Sequence, residues 1–136
     1  MSILFHVFRH DPHVEKVSAG NFLFREGEPS NGRMYVLAEG KARVLLGGEM
    51  LENMIPSSLV GEMGLIEPDS VRSASVQAVT DCDFVGIDQG RFHFLVEQMP
   101  HFAMEVMRIL ANRLRQSDEH LATLLAGNNA GTGSES

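Results

Sequence analysis

Residues 61–78 carry the side chains of this chain that are best suited to bind a small anion. Gly61 allows a backbone to approach a ligand closely, and the acid Glu62 follows it directly. A short apolar run ending at Ile66 predicts one helical turn, whose free N–H groups and dipole favour an anion at its start. Ten residues after Glu62 comes Arg72, whose planar guanidinium suits phosphate. The segment therefore predicts a pocket for a small phosphate ester that also carries hydroxyls.

This segment resembles the phosphate-binding cassette of cyclic nucleotide-binding domains. That sensor family includes bacterial catabolite activator proteins, protein kinase regulatory subunits and cyclic nucleotide-gated channels. Its pattern is Gly-Glu, a small helix, a short loop, and then Arg followed by Ser, Thr or Ala and another Ala. The matching residues are Gly61, Glu62, Arg72, Ser73 and Ala74. The resemblance covers residues from about 14 to about 125, and it includes 24–28 and 34–40, which resemble the family's early strands.

The chain departs from the family pattern just before the cassette. Ser57 and Ser58 stand where family members usually have Gly-Asp, and Val60 stands where they have an aromatic residue. The resemblance therefore defines the geometry of this loop less well than that of the cassette.

The resemblance implies a role for each cassette residue. Arg72 binds the cyclic phosphate; the alternative is a surface arginine paired with a nearby acid, which would contribute little to stability. Glu62 accepts a hydrogen bond from the ribose 2′-hydroxyl, although an acid here could instead only cap the helix. Ser73 donates to the other exocyclic oxygen or to a purine edge. The predicted binding set also includes Gly61, Met63 and Ala74.

Two residues near the end of the chain fall where family members place residues that contact the base. Ser117 interrupts an apolar seam, as a ligand-facing residue would, although a polar residue can also set the register of a coiled coil. Asp118 can accept from adenine N6, but it suits the paired donors of guanine at least as well. In the family, serine or alanine at the position of Ser73 accompanies adenine more often than guanine, so we expect cAMP to be favoured over cGMP.

Residues 14–88 contain short runs of β-forming residues separated by turns that contain glycine. The joins at 39–40 and 47–48 are typical of tight hairpins. The predicted strands are 14–18, 21–24, 33–38, 41–46, 49–55, 73–79 and 82–87. This pattern predicts a mainly β protein with an antiparallel barrel or jelly roll, and the resemblance implies the jelly-roll topology.

Helices are predicted to flank the strands. A short N-terminal helix is expected over residues 2–9, and Asp88 is a plausible N-cap for a helix over 89–98. Residues 101 to about 125 form a longer periodic segment, in which a heptad seam runs through Ala103, Met107, Leu110, Leu114, Ser117, Leu121 and Leu124. We predict one domain over 1–126 and a disordered polar tail over 127–136.

The seam predicts a homodimer, held through Met107, Leu110, Leu114, Leu121 and Leu124. A two-stranded coiled coil buries such a narrow apolar stripe. The alternative is a single helix that lies on its own barrel.

Composition excludes several classes of function. Eleven Lys and Arg against eighteen Asp and Glu give a net charge of −7, which disfavours non-specific binding to nucleic acid. The single cysteine, Cys82, fits a reducing cytoplasm, and no apolar run is long enough to span a membrane. His6, His10 and His13 lack the neighbours that would complete a metal site, and there is no catalytic triad, so we predict neither a metal nor an enzyme.

We therefore predict a cyclic nucleotide sensor that signals through its C-terminal helix to an unidentified effector protein. One alternative is a protein-interaction domain of the same fold that no longer binds nucleotide. Another is a relative of transcription regulators that acts through a partner. The family's DNA-binding members continue into a helix-turn-helix after the long helix, whereas this sequence continues into a polar tail, so we expect no direct DNA binding.

Overall fold

The computed structural model describes residues 14–132, except for the side chains of 117, 118, 120, 121 and 127–132. The helix predicted over 2–9 lies outside these residues. In chain order the elements are β1 (Val14–Val17), β2 (Phe22–Phe24), β3 (Met34–Glu39), β4 (Ala42–Leu46), β5 (Glu49–Met54), β6 (Leu59–Val60), α1 (Glu62–Ile66), β7 (Ser75–Ala78), β8 (Cys82–Ile87), α2 (Gln89–Gln98) and α3 (His101–Thr132).

The strands form two four-stranded sheets, with the orders β1-β8-β3-β6 and β2-β7-β4-β5. The strand pairs within both sheets are antiparallel. Each sheet alternates strands from the two halves of the chain, which is the arrangement of an eight-stranded jelly roll. The predicted fold class is thereby confirmed. The sequence did not predict β6, because a strand of two residues is too short to show a period.

The two sheets differ in how their faces are covered. On β4, Ala42 and Val44 are buried while Arg43 between them is exposed, so one face of that sheet faces the core and the other faces solvent. On β3, five consecutive residues from Met34 to Ala38 are buried. Both faces of that strand are therefore covered, and α2 contacts its neighbour β8.

The helical predictions are confirmed at the start of α2 and corrected at the end of α3. Asp88 caps α2, because its Oδ1 accepts a hydrogen bond from Arg91 N at 2.8 Å. The long helix was predicted to end near Leu125, but it extends to Thr132 and so includes part of the predicted tail. The disordered state of that tail stays a prediction. The chain divides after Phe102 into two compact units, the first of which contains the cassette.

Candidate functional site

Gly61 gives the cassette its tight entry into α1. Its φ of 78° lies in the left-handed region, which glycine adopts without a steric penalty. A Cβ added to Gly61 would also lie 2.8 Å from Arg72 Nη1 and 3.5 Å from Phe24 Cε2. Two independent constraints, the backbone conformation and the close side chains, therefore require glycine at this position.

Arg72 points inward from the loop before β7 and has only 5% of its surface exposed. Its Nη2 donates to Asn31 Oδ1 at 2.7 Å and to Arg33 O at 3.1 Å. Its Nη1 makes a longer contact, 3.4 Å, with Gly61 O. The alternative of a surface arginine paired with a nearby acid is therefore wrong.

The guanidinium of Arg72 is also enclosed by aromatic rings. Its Cζ lies 4.2 Å from the centroid of the Phe24 ring and 5.9 Å from that of Tyr35. Burial lowers the pKa of Arg72, while Tyr35 and Glu28 act in the opposite direction. Within residues 14–132, the hydrogen-bond partners of this cation are neutral carbonyl oxygens and do not include a carboxylate. Such a cation favours the approach of an anion.

Asn31 joins the cassette to the loop before β3. Besides accepting from Arg72, its Oδ1 accepts from Arg33 N at 3.1 Å, and its Nδ2 donates to Tyr35 Oη at 2.7 Å. The sequence does not predict this role, because Asn31 precedes Gly32 between two predicted strands, where the pattern indicates only a turn. The side-chain amide thus links two buried groups that lie far apart in the sequence.

Gly64, in α1, is a second residue that the sequence did not single out. A Cβ added there would lie 2.4 Å from Ser30 Oγ, 2.7 Å from Arg72 Nη1 and 3.1 Å from Arg33 O. Gly64 has an ordinary helical conformation, so glycine is required there only by the close approach of these groups. A glycine inside the short apolar run of a predicted helix was the one feature of the sequence that indicated such a close approach, because a helix normally tolerates any side chain there.

Hydrogen bonds attach both ends of the cassette to the rest of the first unit. Arg72 N donates to Glu28 O at 2.7 Å, and Gly27 N donates to Arg72 O at 2.8 Å. At α1, Gln89 Nε2 donates to Leu65 O at 2.8 Å. The cassette is therefore held to the loop after β2 and to the first residue of α2.

The other predicted site residues are distributed as follows. Glu62 is the first residue of α1 and is half-buried, whereas Met63 and Ser73 are exposed. Ala74 is partly buried and packs against the core cluster. The side chains of Ser117 and Asp118 lie outside the described residues, so only Gly61 and Arg72 are placed in direct contact.

The loop before the cassette carries the departure noted in the sequence. Ser57 has a φ of 83°, a conformation that L side chains rarely adopt and in which the family usually has glycine. Two backbone hydrogen bonds, Ser57 N to Leu37 O and Leu37 N to Ser58 O, hold this turn to β3 at 2.9 Å each. These bonds fix the position of the turn relative to β3.

The arrangement can bind and orient an anion. Arg72 presents a desolvated cation beside Gly61 and the start of α1, whose first acid is Glu62. Among the side chains that the structure describes, no cluster of three or more His, Cys, Asp or Glu could hold a metal ion. The charge for the anion would come from the arginine.

Residues 14–99 match the profile of the family described as "Cyclic nucleotide-binding domain". The chain is also 32% identical over 105 residues to the Pycsar effector protein XpPycTIR of Xanthomonas perforans, covering 77% of this chain and 34% of the relative. It is 31% identical over 117 residues to the cAMP-activated global transcriptional regulator CRP of Salmonella typhimurium, covering 82% and 55%.

Among solved structures, the fold is similar to that of the catabolite activator protein of Thermus thermophilus. The TM-score is 0.67 at 29% identity, and the match covers 82% of this chain and 55% of that one. The chain thus spans only a third to about half of the length of the curated relatives it matches. In the described part of the chain, no helix combines the length and the hydropathy needed to cross a membrane.

Proposed function

Because the chain belongs to the cyclic nucleotide-binding domain family, we propose that it binds a cyclic purine nucleotide, with cAMP favoured over cGMP. The observation that supports this most directly is the buried guanidinium of Arg72, which has neutral oxygen partners beside a helix start. A cyclic phosphate carries one negative charge over two exocyclic oxygens. One arginine and the N–H groups of a helix start match that charge without a metal.

The remaining selectivity is assigned to residues around the phosphate. Glu62 would accept a hydrogen bond from the ribose 2′-hydroxyl. This favourable interaction would explain why a carboxylate lies close to a phosphate of the same charge. Ser73 would donate to the second exocyclic oxygen or to the purine edge. Ser117 and Asp118 would contact the base, where Asp118 can accept from an exocyclic amine. Gly61, Met63 and Ala74 would complete the lining of the site.

Isothermal titration calorimetry of the full chain with cAMP and with cGMP tests this function. We expect saturable heat with both nucleotides and a lower dissociation constant for cAMP. Adenosine 5′-monophosphate is the matched control, because it has the same base and ribose but an open phosphate of higher charge. The absence of heat with either cyclic nucleotide at high micromolar protein would contradict the proposal.

We further propose that the domain reports occupancy through α3 as a homodimer. Within α3, Met107, Leu114 and Leu124 are exposed, and they lie on the heptad seam predicted from the sequence with Leu110 and Leu121. A two-stranded coiled coil would cover such a stripe. A ligand shifts this equilibrium only if it binds the two states with different affinity.

Sedimentation equilibrium with and without cAMP tests the dimer. We expect Leu114→Glu to give a monomer, because it places a charge on the seam, whereas the exposed Arg115→Glu should leave the mass unchanged. If the native chain stays monomeric at all concentrations, the dimer is wrong while nucleotide binding is unaffected.

A protein-interaction domain without nucleotide is the second candidate function. The observation that favours it is that both Nη atoms of Arg72 have protein partners, so this arginine also links segments of the fold without a ligand. Calorimetry separates the two, because only the sensor gives heat with a cyclic nucleotide. In either case we assign the domain no catalytic step and no direct contact with DNA, and we propose that it acts in the cytoplasm through an effector protein.

A further inference from the structure

We propose that Asn31 is a positioning residue for the cyclic phosphate, which it serves by fixing the orientation of Arg72. This inference rests on the proposed function. Asn31 lies 41 residues before Arg72 in the sequence, and its Oδ1 accepts the shortest of the hydrogen bonds that the guanidinium makes, at 2.7 Å. Asn31 is exposed as a residue, whereas Arg72 is buried, and the hydrogen bond that joins their side chains is partly buried.

The orientation of the amide is determined by its neighbours. Arg72 Nη2 and Arg33 N can only donate, so the atom that faces both of them must be the oxygen of Asn31. The nitrogen is then left to donate to Tyr35 Oη, at 2.7 Å. Tyr35 is almost fully buried, so this end of the amide is attached to the core. The amide is held by Tyr35 at one end and by Arg72 at the other, so it fixes the position of the guanidinium relative to the core.

The two terminal nitrogens of the guanidinium differ in their hydrogen bonds. Nη2 is held by Asn31 and by the carbonyl of Arg33, at 2.7 and 3.1 Å. Nη1 reaches the start of α1, where its one contact, with Gly61 O, is long at 3.4 Å. The weakly bonded Nη1 is thus the nitrogen whose N–H groups are available to a phosphate oxygen, while Nη2 remains attached to the protein. By fixing the guanidinium, Asn31 would determine which exocyclic oxygen of the phosphate accepts a hydrogen bond from Nη1.

The two phosphorothioate diastereomers of cAMP test this assignment, because sulfur replaces one or the other exocyclic oxygen. A fixed Nη1 should bind the two diastereomers with unequal affinity. Asn31→Ala should weaken cAMP roughly 10-fold and reduce the ratio between the diastereomers. Asn31→Asp keeps an oxygen in the same place, so it should restore the ratio whatever its effect on overall affinity.

Gln77→Ala is the matched control. Gln77 Oε1 accepts from Arg43 Nε at 3.0 Å and from its Nη2 at 2.7 Å, which is the same kind of arginine–amide contact at a residue outside the predicted binding set. This variant should change neither the affinity nor the ratio. The positioning role is overturned if Asn31→Ala leaves the ratio of the affinities for the two diastereomers unchanged, whether or not the affinity for cAMP falls. The proposed function stands in either case.

A measurement without ligand keeps the inference separate from the proposed function. In the native protein, rotation of the Arg72 guanidinium should be slow enough to give resolved Nη–H signals in nuclear magnetic resonance. Asn31→Ala should broaden or average these signals at temperatures where the variant is still fully folded, and Asn31→Asp should retain them. Fast rotation in the native protein would contradict the proposal, even if cAMP binds.

Discussion

Arg72 and Arg43 make the same hydrogen bond in two different places. Arg72 Nη2 donates to Asn31 Oδ1 at 2.7 Å, and Arg43 Nη2 donates to Gln77 Oε1 at 2.7 Å. Arg43 is exposed on the solvent face of its sheet, where water and salt screen its charge. Arg72 is buried against two aromatic rings, so its charge is screened much less. Burial without a carboxylate partner, and not the hydrogen bond itself, distinguishes Arg72, which we propose binds the phosphate, from Arg43.

The same burial has a cost that a ligand can offset. The pKa of Arg72 is lowered by burial, so the folded protein holds this proton less tightly than the unfolded chain does. The cost is fully present at neutral pH, below both pKa values, and it is relieved only as the pH rises through the folded value. An anion beside Arg72 acts oppositely, because it stabilises the charged form. Ligand binding and folding stability are therefore coupled at this residue.

The largest expected effect comes from removing each arginine. Arg72→Ala should lower the affinity for cAMP about 100-fold or more, because it removes the buried donor of charge-assisted hydrogen bonds. Arg43→Ala should leave the affinity unchanged, since that arginine lies on the solvent face. Calorimetry of both variants measures the difference. Equal affinities in the two variants would contradict the distinction drawn from burial.

The second test changes the space around the buried arginine. Gly64→Ala should weaken cAMP binding about 10-fold and destabilise the fold by about 1–3 kcal/mol, because its Cβ would displace Arg72 Nη1 and Ser30 Oγ. Gly90→Ala is the matched control. Its Cβ would meet only Asp88 Oδ1, at 3.6 Å, so this helical substitution should stabilise by up to about 1 kcal/mol. Thermal unfolding should show opposite signs for the two variants, and binding titrations should show a loss for Gly64→Ala alone. Equal affinities in the two variants would contradict the prediction.

A third test concerns the acid beside the arginine. Glu62→Gln should weaken cAMP about 10-fold while leaving 2′-deoxy-cAMP almost unaffected, because only the carboxylate is a strong acceptor for the 2′-hydroxyl. Glu67→Gln, on the exposed residue that follows α1, should change neither affinity. Competition titrations with the two nucleotides measure the selectivity. An equal loss for both nucleotides would assign Glu62 to helix capping alone.

The smallest expected effect lies in the turn before the cassette. Ser57→Gly should stabilise the protein by about 0.5–1 kcal/mol, because the left-handed conformation costs serine more than glycine loses in chain entropy. Ser58→Ala should destabilise by about 1 kcal/mol, since Ser58 Oγ accepts from Ile55 N at 3.1 Å. Thermal unfolding compares the two. A lower melting temperature for Ser57→Gly would show that the serine is not strained there.

The sequence predicted most of the fold where the local pattern was strong. The strand Cys82–Ile87 and the helix Gln89–Gln98 have the bounds that their periodicity and the cap at Asp88 predict. The strand Leu59–Val60 was missed, because it exists only through its pairing with Tyr35 and Val36. Polar residues at the end of α3 concealed its extension to Thr132.

The candidate site was predicted only in part. Arg72 and Gly61 were identified because they lie in one short segment with a characteristic spacing. Asn31 and Gly64 were not, because their importance comes from atoms that the fold brings near them. The placement of base-contacting residues on α3 stays a prediction.

By itself, the sequence determined the family and the strand-rich fold class, and it singled out Gly61 and Arg72 in the cassette. These depend on local pattern and residue type. The tertiary structure decided that Arg72 is buried and that its partners are neutral oxygens. It also decided that an asparagine 41 residues away holds the guanidinium. Burial and long-range hydrogen bonds depend on how distant segments pack, and no single segment of the chain contains that information.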